Sequence, residues 1–181
     1  MMLPSDQKIL RLTWDAMFLV AALMLSALEH LLPLSVLLPL PGMKLGLANL
    51  AVLACAYTIG LGDAGCVSML RCLLMGLLFG SGVSMLFSLS GAVLSFCVLF
   101  LLRIFSPWLK NKISFAGISI LCAAGHNLGQ ILCAGVMYGW TVSILRMYGG
   151  VLLVSGTIFG LVGGLLLNGV FTRISRNTRV K

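Results

Sequence analysis

Charge is what this sequence has least of. Only 9% of its 181 residues are Asp, Glu, Lys or Arg, against about 25% in a soluble domain. Such a chain has too few charges to cover a surface in water. Acidic residues are scarcer still: Asp6, Asp15, Glu29 and Asp63 are all there are. They are scattered, so no aspartate-rich motif exists to hold magnesium against a diphosphate. A G-x-x-x-x-G-K-[ST] phosphate loop is missing, as is an H-E-x-x-H zinc helix. No Ser/His/Asp arrangement is present either. The six cysteines form no C-x-x-C pair and lie within apolar runs, where a small buried apolar role suits them. The sequence therefore predicts no catalytic residue, no metal site, no cofactor and no enzymatic activity of its own.

What fills the sequence instead is apolar. Hydrophobic residues make up 60%, and the mean hydropathy is +1.13. A membrane-spanning helix needs about 20 mostly apolar residues. Runs of that kind fall at about residues 14–38, 45–61, 64–79, 83–105, 113–138 and 142–171. The expected fold class is an all-α integral membrane protein of six transmembrane helices, forming one membrane domain over residues 1–181. Pro33, Pro39, Pro41 and Gly42 break the end of the first run into an irregular loop. Lys8 and Arg11 ahead of the first run resemble a signal peptide. The apolar stretch continues into Glu29-His30 without a small-x-small cleavage site, so it reads as a retained helix. No ATP-binding domain fits in the remaining residues.

The formal net charge of +8 does not indicate nucleic acid, because the basic residues cluster at the ends of apolar runs. With both termini on one side, that side holds Lys8, Arg11, Arg103, Lys110, Lys112, Arg173, Arg176, Arg179 and Lys181. The other side holds only Lys44 and Arg146, and Arg71 falls within a span. The positive-inside rule then makes both termini cytoplasmic and the number of spans even.

An ionisable side chain at the bilayer centre costs about 2.5–3.5 kcal/mol on insertion scales. Glu29, Lys44, Arg71 and His126 each need a reason. Asn49 lies five residues beyond Lys44, with Tyr57 two turns further on. His126 and Gln130, four apart, share a helix face, and Asn127 sits beside them. Two readings of this set stand side by side. Glu29 and Arg71 pair internally and fix helix register, or Lys44, Asn49, Arg71, His126, Asn127 and Gln130 hold an anionic ligand, with Glu29 orienting one of them.

Small residues recur at four-residue spacing. Gly156, Gly160 and Gly164 mark the sixth run, Ser84, Ser88, Gly91 and Ser95 the fourth, Gly125 and Gly129 the fifth, and Ala22 and Ser26 the first. In lipid such faces let helices approach closely. Packing within the bundle is expected for the fourth and sixth. The first is a candidate docking face for a separate membrane subunit.

The run Pro41-Gly42-Met43-Lys44-Leu45-Gly46-Leu47-Ala48-Asn49 resembles the P-G-[IM]-K-L-G-L-A-N signature of the Gx transporter family. The runs Arg71 to Gly80, Phe87 to Gly91 and Ala124 to Gln130 fit the same family in order, and the resemblance covers about residues 10 to 170. Members are often labelled heptaprenyl diphosphate synthase component I. The family is similar to the substrate-binding S components of energy-coupling factor (ECF) transporters. That resemblance implies a protein of the bacterial cytoplasmic membrane that binds a small vitamin- or isoprenoid-like molecule near the outer face. It also implies as partners a transmembrane coupling subunit and ATPase subunits, with Ala22 and Ser26 on the coupling face and the loop around Lys44 capping the ligand. Alternatives in the same membrane are a subunit assisting prenyl diphosphate or quinone metabolism, and an anchor for an extracytoplasmic flavin or electron-transfer system.

Overall fold

In a computed structural model, residues 4–31, 46–79, 82–106, 108, 113–140 and 149–179 are described. They form six helices: α1 (Pro4–Leu31), α2 (Asn49–Thr58), α3 (Leu61–Phe79), α4 (Gly82–Phe105), α5 (Phe115–Tyr138) and α6 (Gly149–Arg179). No strand occurs among the described residues, and five of the helices are long and apolar enough to cross a membrane. This is a multi-pass helical membrane protein.

The second helix is shorter than the expected second span. A full crossing was expected over residues 45–61, but α2 has 10 residues. At 1.5 Å per residue that is about 15 Å, half of a hydrocarbon core of about 30 Å. Hydropathy cannot tell a short buried helix from the core of a span, because both are apolar throughout. The other boundaries differ less. The first helix starts ten residues before the expected residue 14, because a helix continues past the apolar run until its backbone is interrupted. Residues 32–38 and 142–148, expected within the first and sixth spans, lie outside the described residues.

The helices form an open arc in the order α1, α3, α4, α5, α6. α2 lies within it, against α1, α3, α5 and α6. α1 and α3 run parallel. Arg11 pairs with Asp63 at one end (2.5 Å), and the His30 and Phe79 rings meet at the other (4.3 Å). Tyr57 of α2, Phe115 of α5 and Phe171 of α6 cluster at the Arg11 end. The start of α1 and the close of α6 therefore share one end of the bundle.

The small residues explain the close seams. A Cβ on Gly125 would meet Val98 at 2.8 Å, and one on Gly129 would enter the α4 backbone at Ser90 and Gly91. On α6, Gly160 and Gly164 face the α5 backbone at Ile120 and Ala116 in the same way. The fourth- and sixth-run stripes thus pack within the bundle, as expected. The first-run stripe does not face outward. Ala22 is fully buried in a cluster with Ala51, Val52, Cys55, Ala64 and Val67, and Ser26 is buried beside Arg71. α2 and α3 of the same chain occupy the face that a coupling partner was expected to use. Small side chains permit close approach by any helix, and here the nearest helices are the chain's own.

Candidate functional site

The start of α2 organises the polar residues. A helix leaves its first backbone N–H groups without intrahelical partners, and at membrane depth each one needs an acceptor. Glu29, near the described end of α1, supplies one for Leu47, in the turn just ahead of the N-cap Ala48. Its Oε1 accepts the Leu47 N–H at 2.5 Å. A carboxylate there also meets the positive end of the helix dipole. Just ahead, Gly46 takes φ +84°, a left-handed conformation that glycine adopts at little cost. A side chain at that position would press on the Asn49 amide at 3.1 Å and the His126 ring at 3.3 Å.

His126 is thereby held between Gly46 and Gly91 of α4, whose own Cβ position lies 2.6 Å from the ring. The Gln130 amide Nε2 lies 2.8 Å from His126 Nε2. This contact joins the two side chains one turn apart on α5. The shared face expected from the four-residue spacing is present, and both residues are buried.

Arg71, in the middle of α3, is 3% exposed. Its guanidinium donates to Ser26 Oγ at 3.4 Å and lies 3.5 Å from Cys72 Sγ. The Cys72 thiol reaches the Ser88 carbonyl on α4. No carboxylate lies within 4.0 Å of Arg71 among the described residues, where the recorded ion pair is Arg11–Asp63. The internal Glu29–Arg71 pair is therefore not formed, because Glu29 has turned to the α2 backbone. Arg71 Nε, Ser88 Oγ and Asn49 Nδ2 are buried polar atoms without a hydrogen-bond partner among the described residues.

Asn127 departs from its neighbours. One step along a helix turns a side chain by about 100°, which points Asn127 at α6. There its Nδ2 donates to the Leu152 carbonyl at 2.5 Å. It bonds α5 to α6, away from the His126–Gln130 face. Lys44 lies outside the described residues. Glu29, Asn49, His126 and Gln130 thus gather around the start of α2, and Arg71 stands on the α1–α3–α4 side of it. Sequence reasoning missed the parts played by Gly46, Gly91 and the Leu47 N–H. The glycines in the P-G-M-K-L-G-L-A-N run were the available signal.

Space around this cluster is small. Asn49 borders one cavity of about 20 Å³ between α2, α5 and α6. It borders another of about 10 Å³ between α2, α3, α4 and α5. Each has room for about one water. A much larger cavity, about 270 Å³, lies at the opposite end of the bundle. Among the described residues no three His, Cys, Asp or Glu side chains come together as a metal site. Cys55, Cys72 and Cys122 are buried, whereas Cys66 and Cys97 are exposed, and all six thiols are free.

These features define a multi-pass helical membrane protein with a polar cluster built around a buried half-helix. The chain belongs to the family described as heptaprenyl diphosphate synthase component I, whose model matches residues 18–170. No curated protein and no solved structure matches the chain.

Proposed function

We propose that this chain is the membrane substrate-binding component of an ECF-type uptake system for a small anionic or amphipathic molecule. The observation that carries the reading is Arg71, a buried guanidinium that no carboxylate of the described residues neutralises. A charge inside the membrane is costly and marks a ligand or ion path more often than a packing element. A half-helix whose N-terminus lies at membrane depth is likewise a device of membrane transport proteins. Arg71 meets the anionic group of the ligand. Lys44, Asn49, His126 and Gln130 line the remaining contacts, and Glu29 holds the start of α2. The small cavities at Asn49 widen as the ligand enters from the side of the membrane away from the termini. Both termini face the cytoplasm of a bacterial cell.

Transport energy comes from a coupling subunit and its ATPases. The open face of α1 serves as the contact, through Met17, Val20, Met24 and Leu28, each at least half exposed. α1 is the least covered of the long helices, with 11% of its apolar window buried against 50% for α5.

A second reading rests on the family's name, which is that of a component of a prenyl diphosphate synthase. In that role the chain anchors or assists, and the diphosphate chemistry belongs to another subunit, since the four acids here form no magnesium-binding motif.

Purification from the native membrane, with mass spectrometry of bound small molecules and co-purifying subunits, separates the two. The uptake reading expects a bound anionic or amphipathic molecule that is lost in Arg71→Ala and His126→Ala while both variants keep the wild-type elution profile. Retention of the molecule by both variants would move the site elsewhere. A prenyl synthase subunit co-purifying without ATPases would favour the second reading.

A further inference from the structure

The large cavity at the terminus-bearing end belongs to none of the residues discussed for uptake. Tyr57 from α2, Leu102, Arg103 and Ser106 at the close of α4, and Ile113, Phe115 and Ile118 at the start of α5 line its 270 Å³. Three kinds of chemistry converge there. Arg103 is exposed, and its guanidinium carbon stands 5.9 Å from the Tyr57 ring centroid. The start of α5 brings the positive end of a helix dipole, with Ser114 capping it through the Gly117 N–H. Leu102, Ile118 and the ring pair Tyr57–Phe115, 4.9 Å apart, form an apolar wall.

Among the described residues no acidic side chain lines this cavity. Of the four acids, Asp63 is already engaged by Arg11, and Glu29 is bound at the start of α2. Arg103 forms no ion pair among the described residues, which leaves its charge open to an anion from outside the chain. Small-molecule pockets run to roughly 300–1,000 Å³, so this one suits a compact headgroup with a few methylenes. Lys8, Arg11, Arg103 and Arg173 all lie at this end, and basic residues beside a bilayer draw anionic lipid to it.

We infer that the cavity between α2, α4 and α5 is a phosphate site. Arg103 and the Ser106 hydroxyl bind the phosphate oxygens, and an attached apolar chain lies along Leu102 and Ile118. An anionic phospholipid and free inorganic phosphate both offer that group. The site is separate from the Arg71 cluster, so it stands whether or not the uptake reading holds.

The test reconstitutes the full chain in nanodiscs of mixed phosphatidylglycerol and phosphatidylcholine and counts retained lipid by native mass spectrometry. Wild-type protein retains phosphatidylglycerol preferentially. Arg103→Gln lowers that retention by about tenfold, the scale of one lost charge-assisted hydrogen bond. Arg103→Lys preserves much of it. Ser106→Phe fills the cavity mouth without changing charge and also lowers it. A second arm titrates inorganic phosphate into protein held in phosphatidylcholine alone. Arg103-dependent binding there identifies free phosphate as sufficient, whereas phosphatidylglycerol preference without it identifies the lipid. Equal retention by wild type, Arg103→Gln and Ser106→Phe in the lipid arm, with no Arg103-dependent binding in the other, overturns the inference.

Discussion

The Glu29 carboxylate accepts the backbone N–H of Leu47 at 2.5 Å, across 18 residues of chain. This contact ties the end of α1 to the start of α2. A carboxylate there satisfies a backbone group that lipid would leave bare. A hydrogen bond to a charged group is worth about 1.5–3 kcal/mol. Glu29→Ala is expected to destabilise the protein by about that much. Glu29→Gln, which keeps a carbonyl acceptor, costs about half as much. Unfolding in detergent measures the loss, and faster hydrogen exchange at the Leu47 amide localises it. An unchanged Leu47 amide in Glu29→Ala would break the connection.

Arg71 gives the opposite expectation. A buried charge that lacks a partner of opposite sign is a burden on the folded state, and an apolar replacement of similar length relieves it. Arg71→Met should keep or raise the thermal midpoint while ligand retention falls. A midpoint well below wild type would mean that the bonds to Ser26 and Cys72 matter more than a ligand does.

Glycine substitutions separate seams from surfaces. A Cβ on Gly129 would enter the Ser90 carbonyl and stand 2.8 Å from Gly91 Cα. Backbone cannot step aside as a side chain does, so Gly129→Ala should cost about 1–3 kcal/mol or more. At Gly62, within α3, a Cβ meets nothing within 4 Å. Gly62→Ala should be neutral, or stabilise by roughly 0.5–1 kcal/mol through helix propensity. Parallel melting curves of the two variants check both directions.

Asn127→Ala removes the bond to the Leu152 carbonyl. Interhelical hydrogen bonds in membranes average about 0.6 kcal/mol and reach about 1.7. A loss in that range is expected, with ligand retention unchanged, because this side chain serves the α5–α6 seam. Lost retention at full stability would return Asn127 to the ligand site.

Ala22→Leu would not probe a docking face, because Ala22 is fully buried. It would overpack the cluster with Cys55 and Val67. Arginine in place of Met24, 69% exposed on the open side of α1, is the sharper probe. Co-purification of a coupling subunit at the wild-type level would remove that face from partner contact.

Much of the fold was legible in the chain. The long helices follow from hydropathy, since only a closed hydrogen-bonded helix carries such apolar runs through lipid. The His126–Gln130 pair follows from the helical period. The glycines of α6 announced a close seam. Other features were illegible because their cause is a direction in space. Apolar composition does not record that α2 stops after about three turns. A stripe of Ala22 and Ser26 states that something comes close without saying whether it is the same chain. Arg103, Tyr57 and Phe115 are far apart in sequence, so no local pattern joined them.

The sequence by itself determined that this chain lives in a membrane, because so little charge leaves it no means of facing water. It also determined that a handful of polar residues must be satisfied inside that membrane. Only the tertiary structure decided how. Glu29 went to a backbone N–H, and Arg71 pairs with no acid among the described residues, because which carboxylate meets which donor depends on how the helices are placed in space.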